Sequence, residues 1–431
     1  MSSTWLRAED AATVRREVES LSKENAALKE LVRQQGAVIE KLNQRVTDIE
    51  QAAAKSDHAP AAAMSATDDL VPTGKNSGGF NLGKVNLSGE GGVGIFNSQA
   101  EGQFPNAEFR VDEAKLFIEA PIWGDVYFYS ELNLATRDYD EVELRLGELY
   151  LDFEDLSQLW GRDRQLNLRA GRMDVPFGEE YLVRDAVDNP LISHSLTDTW
   201  GVDEGVELYG SFGKFSYVMA VQNGGASGGR DFTTDKSVAG RLSFEPARWL
   251  HLSVSGMRTG DLDATDDYIS ELWFGGGWFR SIGSTNTTKF HANLVQSDLA
   301  LHFSRGHLKA FGGFAHYSDN DPLGSNQRDL YYYAVEGVAK VTPKFYAAAR
   351  FSQIFADKGY PLPGQGELGD YFFNPFGPRA EMLWRLSLGL GYRFSDRMLV
   401  KAEYSFERGK ELGGATRDRV NFLGAEAAFK F

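Results

Sequence analysis

The sequence predicts an all-β protein: a 16-stranded antiparallel transmembrane β-barrel preceded by an N-terminal α-helical coiled coil. Three observations carry this. Apolar residues recur every 3.5 positions over residues 14 to 49, the period switches to 2 from Val85 onward, and the connectors between the alternating runs come in short and long kinds. Composition sets the bounds. The 431 residues include no cysteine, which excludes a disulfide scaffold, a thiolate metal site and a cysteine nucleophile. A formal charge of −16 sets bulk charge against nucleic-acid binding. No run of about 18 apolar residues occurs, so no helix is expected to cross a bilayer, but a barrel hides its apolar band in alternation.

The chain starts MSSTWLRAED, without a basic segment leading into an apolar one, and the expectation is a mature chain whose signal peptide has been removed. Residues 1–50 then read as an oligomerisation helix. Val18, Asn25, Val32, Ile39 and Val46 form one seam, and Val14, Leu21, Leu28, Gln35, Leu42 and Ile49 form the other. Spacings of four and three alternate without a proline, the repeat of a left-handed supercoil about 50 Å long. Such a stripe needs partner helices. Branched residues at one seam and Leu at the other favour two strands, and Asn25 and Gln35 fix register, so strand number stays open at this point. Residues 51–79 lose all periodicity and read as a flexible linker of small residues, Pro, Gly and Asp, with His58 solvated.

Residues 80–431 read as the barrel. In the run 126–135, Val126, Phe128, Leu132 and Leu134 oppose Tyr127, Tyr129, Glu131 and Asn133. In 385–394, Leu386, Leu388, Leu390, Tyr392 and Phe394 oppose Arg385, Ser387, Gly389, Gly391 and Arg393. Val400, Ala402, Tyr404 and Phe406 oppose Lys401, Glu403 and Ser405, and the last run places Leu423, Ala425, Ala427, Phe429 and Phe431 opposite Glu426 and Lys430. One apolar and one polar face is the mark of a half-exposed strand.

Seven connectors are short: 123–125, 156–165, 213–214, 246–248, 305–306, 342–344 and 395–397. Long Gly/Asp/Asn-rich connectors lie between them, among them 173–205, 259–286, 319–328 and 356–379. Seven short hairpins give fourteen strands, and one strand at each end completes sixteen, with both termini on the short-turn side. A soluble sandwich rarely needs more than ~250 residues, and Phe117, Trp123, Phe128, Trp160, Trp249 and Phe394 lie near strand ends, as interfacial girdles would.

The stretch GRMDVPFGEEYLVRDAVDNPLISHSL (171–196), followed by a strand starting Gly205-Val206-Glu207, resembles the phosphate-selective porin family of the O and P type; Gly171, Pro176, Phe177, Gly178 and Glu180 carry its most specific segment. The resemblance implies a trimeric outer-membrane channel over about residues 80–431. The N-terminal coiled coil is an addition to the best-known anion-selective members.

With the apolar face toward lipid, the other face lines the pore, since inward placement spares each base a cost of about 2–4 kcal/mol at the bilayer midplane. The expected pore-lining residues are Arg145, Arg169, Arg184, Arg241, Arg350, Arg385, Arg393, Glu131, Glu143 and Glu207. Acids and bases balance on this face, with a bulge expected near Gly147. Segment 173–205 is the expected constriction loop, with Arg184, Arg169 and Arg172 as a basic patch toward its carboxylates. The Asp-rich stretches 261–267 and 319–321 read as solvated loop acids, and no metal site or cofactor is expected. Catalysis is not expected either: His251 and Ser253 share a face, but no nucleophile motif accompanies them. The expected function is passive diffusion of small hydrophilic solutes and ions, including anions such as phosphate, by a homotrimeric outer-membrane porin with its coil in the periplasm. The alternative is an envelope tether, in which the barrel anchors a coil that binds the cell wall or a periplasmic partner.

Overall fold

The computed structural model describes residues 80–82, 84–98, 104–136, 144–198, 201–224, 231, 233–263, 286–323, 327–360, 380–417 and 419–431. The expected coil residues Val18, Leu21, Asn25, Leu28, Val32, Gln35, Ile39, Leu42, Val46 and Ile49, the linker and Glu143 lie outside them.

The strands run β1 (Phe80–Leu82), β2 (Val85–Asn97), β3 (Glu108–Trp123), β4 (Val126–Thr136), β5 (Arg145–Phe153), β6 (Asn167–Asp174), β7 (Val202–Phe212), β8 (Phe215–Gln222) and β9 (Ser237–Ala247). They continue with β10 (Leu250–Arg258), β11 (Leu262–Asp263), β12 (Lys289–Phe303), β13 (Gly306–Asp319), β14 (Arg328–Lys340), β15 (Phe345–Tyr360), β16 (Ala380–Ser395), β17 (Met398–Glu411) and β18 (Val420–Lys430). Each long strand pairs antiparallel with its sequence neighbours, and β18 pairs with β2 from Leu423–Asn97 to Lys430–Glu90, which closes the sheet. The two short pieces, β1 and β11, pair only along β2 and β12, so the ring itself has 16 strands. Closure leaves no bare edge, the property that lets a sheet stand in hydrocarbon.

Burial settles which face points where. On β17, Lys401, Glu403 and Glu407 are at most 2% exposed, whereas Val400 and Tyr404 are 39% and 38% exposed. Leu390, Leu423 and Val206 repeat the outward pattern on other strands. The outer wall is therefore an apolar belt. Trp123, Phe212, Phe215, Trp249, Phe303 and Phe394 stand exposed beside the short turns and form an aromatic rim. Phe117 departs from the girdle expectation: it faces inward and packs with Tyr129, Tyr150 and Met173, because its parity is that of Lys115 and Glu119.

Turn boundaries also shift by a residue or two. Pro246 and Ala247 belong to β9, Gly306 to β13 and Ser395 to β16, since the ladders extend nearly to the reversal. In the two-residue turn after Phe212, Gly213 has φ +66°, a conformation only glycine adopts without strain. The β4–β5 ladder slips between Ser130 and Leu132, where Gly147 and Glu148 together oppose Glu131. A Cβ at Gly147 would lie 2.5 Å from a Glu131 carboxylate oxygen, so glycine makes room for an inward acid.

Candidate functional site

The connector between β6 and β7 does not leave the barrel. It turns into the lumen, and wall residues from β3 round to β18 hold it. Its first residues are fixed by Ser255 and Arg241: the Gly178 amide donates to Ser255 Oγ at 3.1 Å, and Arg241 Nη1 donates to the Gly178 carbonyl at 2.5 Å and to the Tyr181 hydroxyl at 3.1 Å. A short 3-10 turn, Glu180–Val183, follows. Glu180 reaches forward to accept from the Ser195 amide at 2.7 Å, and Arg184 pairs with Asp198 at 3.2 Å, so the loop also braces itself.

Its middle lies on β15 to β18. Lys401 Nζ donates to the carbonyls of Ala186, Asn189 and Leu191 at 2.8, 3.2 and 2.7 Å. Arg350 donates to the Ser193 carbonyl at 2.7 Å and to Asn189 Oδ1 at 3.0 Å, Arg385 to the His194 carbonyl at 3.3 Å, and Arg393 to the Val187 carbonyl at 3.0 Å. Glu403 answers with acceptance: the Ile192 and Ser193 amides reach one of its oxygens at 2.6 and 2.8 Å, and Ser193 Oγ reaches the other at 2.5 Å. These wall charges satisfy a buried irregular backbone that has no ladder of its own. Apolar contacts complete the seat. Ile192 packs with Phe96, Phe104 and Phe422; Leu191 packs with Tyr346 and Ala348; Phe177 and Leu196 join the large inner cluster around Phe290 and Tyr332. Burying each such side chain contributes about 1.5–3 kcal/mol.

The expected pore residues thus fall into groups. Arg350, Arg385 and Arg393 lie between wall and loop; Arg350 also pairs with Glu336, and Arg385 with Glu407 at 2.7 Å. Arg241 holds the start of the loop, and Arg184 sits within it. Arg169 meets Asp152 at 2.8 Å and Glu207 at 3.2 Å, and Arg172 meets Glu204 at 3.1 Å. Glu131 is buried above Gly147, and Arg145 is half-buried opposite Asn133 in the β4–β5 ladder.

Between the short-turn rim and the loop lies a small chamber of about 70 Å³ against β3 to β9. Six carboxylates, two arginines and six tyrosines line it, with Tyr181 and Leu182 of the 3-10 turn as its ceiling. Its wall has a regular order. Across one row, Tyr127, Asp152, Arg169 and Glu207 are register partners on β4, β5, β6 and β7; across the next, Glu119, Tyr129 and Tyr150 are partners on β3, β4 and β5. The Arg169 guanidinium lies 4.9 Å from the Tyr150 ring centre and 4.4 Å from that of Tyr209, whose hydroxyl donates to Asp152 at 2.9 Å. The sequence reading did not single out these tyrosines as functional, although period-2 parity already puts Tyr127 and Tyr129 on the face of Glu131.

Glu179 shows the electrostatics of the loop seat. Burial pushes its carboxyl up, but the His251 hydrogen bond at 2.7 Å and the charges of Arg241 and His251 outweigh this and hold it at about 2. Burial raises the Tyr181 phenol against the opposing Arg241 charge. The other ring nitrogen of His251 faces Glu245 at 3.3 Å, and Ser253 Oγ donates to Asp298 at 3.3 Å, so this pair is not arranged as base and nucleophile. Among the described residues, one carboxylate group has metal-like spacing, Glu90, Glu113 and Asp185, and Lys115 Nζ occupies it at 3.5, 3.7 and 2.5 Å. In the 319–321 stretch, Asn320 Oδ1 caps the amides of Thr288 and Lys289, a turn-forming role.

No family model and no curated protein sequence matches the chain, so the resemblance to phosphate-selective porins gains no support there. Solved structures do match. In vitro folded OmpT, an outer membrane protein of Vibrio cholerae, aligns with TM-score 0.53 and 12% identity over 80% of this chain and 97% of its own. The outer membrane channel DcaP of Acinetobacter baumannii aligns with TM-score 0.53 and 14% identity over 82% of this chain and 99% of its own. A trimer form of OmpT aligns with TM-score 0.51 and 12% identity, over 80% and 99%. At these identities the likeness shows a shared porin-like barrel fold.

Proposed function

We propose that the chain is an outer-membrane porin that lets small hydrophilic solutes and ions diffuse down their gradients, and that it is not an enzyme. The observation that carries this is an apolar outer belt around a lumen that a seated loop narrows on one side, beside a charged, tyrosine-lined chamber. The aromatic rim at the short turns supports a membrane position, and structural neighbours described as outer membrane protein and channel support the same reading. Phosphate specificity would call for guanidiniums presented to solute. Those of β15 and β16 meet the loop instead, so we propose general diffusion rather than phosphate capture.

The proposal includes a homotrimer, supported by the trimer form of one neighbour and by the heptads of residues 14–49, which would clamp the copies from the periplasmic side. Replacing Leu28 and Ile39 by Pro is expected to weaken the oligomer in light scattering, and an unchanged mass would remove the coil as its clamp. The primary test is planar-bilayer conductance of the purified protein in a KCl gradient. Current steps in groups of three are the expected result. A folded protein that gives no current would overturn the pore and leave the barrel as anchor for an envelope-tethering coil.

A further inference from the structure

The chamber below the loop carries six carboxylates against two guanidiniums, a net charge of −4 on its lining. Both guanidiniums are engaged. Arg169 is paired with Asp152 and Glu207, and Arg241 holds the Gly178 carbonyl with Glu179 at 3.7 Å. Glu119 and Glu154 are different: among the described residues, no hydrogen bond or ion pair engages either side chain. Glu154 lies in the turn after β5, where burial and the Asp152 charge raise its carboxyl above the usual range, as expected of a group among surplus negative charge.

The molecule itself displays how this wall holds a cation. The Arg169 guanidinium sits against the Tyr150 and Tyr209 rings with a carboxylate on either side. One strand over, Tyr127 repeats the ring-and-carboxylate pattern without an arginine. Tyr127 lies opposite Asp152, whereas the Tyr129 ring is stacked between Phe117 and Tyr150, with centres 6.4 and 5.0 Å away. Such a ring attracts a cation held over its face. Small inorganic ions hold their water and gain little from such faces. An anion meets uncompensated carboxylates.

We propose that this chamber is a binding station for small organic cations with an apolar or aromatic body, held at the face of Tyr127 and by the charges of Glu119 and Glu154. The inference rests on the pore reading for access but not for binding. The ceiling of Tyr181 and Leu182 places the chamber nearer the short-turn mouth, so such cations reach it first from that side.

The test uses the full-length protein and two probes of similar shape and opposite charge, benzyltrimethylammonium and phenylacetate. Calorimetry on detergent-solubilised protein should give benzyltrimethylammonium at least about tenfold tighter binding than phenylacetate. In bilayers it should reduce the current at lower concentration from the short-turn side. The double variant Tyr127→Leu, Glu154→Gln should lose about tenfold in binding, while Tyr127→Phe, which keeps the ring face, should retain it. Equal affinity for the two probes, or a folded double variant that binds as before, would overturn the station. Conductance without binding sinks this inference and spares the pore; binding without conductance does the reverse.

Discussion

Two halves of the same wall use charge in opposite ways. On β14 to β18 the inward residues are turned to the loop: Lys401, Arg350 and Arg385 donate to its carbonyls, Glu403 accepts from its amides, and all four are at most 6% exposed. On β3 to β7 the inward residues are closed on one another instead: Asp152, Arg169, Arg172 and Glu207 are at most 5% exposed through ion pairs and ring contacts within the wall. An inward charge is therefore not by itself a pore charge. Where the chain folds back into the lumen, the wall becomes a core with polar pins. Where it does not, the wall charges pair with one another, and half-buried groups such as Glu119, Tyr127 and Glu154 are left toward the chamber.

The contrast breaks most severely at Glu403. Glu403→Ala leaves two buried amides and the Ser193 hydroxyl without their acceptor, each costing about 1–3 kcal/mol. The expected outcome is a destabilisation of about 3–5 kcal/mol by denaturant unfolding, together with larger, noisier single-channel currents as the loop lifts. Unchanged conductance would mean that the loop does not narrow the path.

A smaller effect is expected from the room left for the loop. A Cβ at Gly389 would lie 2.4 Å from Leu191 Cδ2, so Gly389→Val should cost about 1–3 kcal/mol by overpacking and displace the loop locally. The same substitution at Gly256, where an added Cβ meets nothing within 4 Å, serves as the control.

Acid sharpens the comparison at the loop's start. Glu179 is held at about 2 against an ordinary 4.5, so its contribution is complete above pH 4.5 and is lost as pH falls toward 2. Current noise from the loop should rise over that window, and His251→Gln should shift its onset to higher pH. A noise profile that is flat down to pH 2 would remove this anchor. The smallest change is on the chamber side: Glu119→Gln should move the reversal potential a few millivolts toward anions, with stability unaltered, because among the described residues no hydrogen bond or ion pair engages the carboxylate.

Much of this architecture was readable in the chain because it is local. Two-residue alternation and turn length depend on neighbours in sequence, and they yield the sixteen strands, the outward belt and the bulge at Gly147. The infolding of the loop was also foreseen, from its length. Which wall charges it would cover was not. Lys401 meets Ala186 and Glu403 meets Ile192 across more than 200 residues, and no periodicity encodes such pairs. Arg385 and Arg169 look alike in sequence, each an inward base on an alternating strand. The coil and linker remain expectations drawn from heptads and composition.

The pairing of Leu423 with Asn97 also has a kinetic side. It joins the two ends of the sheet, and closing a chain of that length costs about 5 kcal/mol of entropy before any contact repays it. Contacts so distant in sequence form late and slowly. Until β18 arrives, β2 and β17 each present an unmatched row of amides and carbonyls, an invitation to pair with other chains. The eleven residues of β18 therefore act as a latch. Such a chain must be kept apart from its copies until β18 has paired, and losing this one strand would leave an open, sticky sheet rather than a slightly smaller pore.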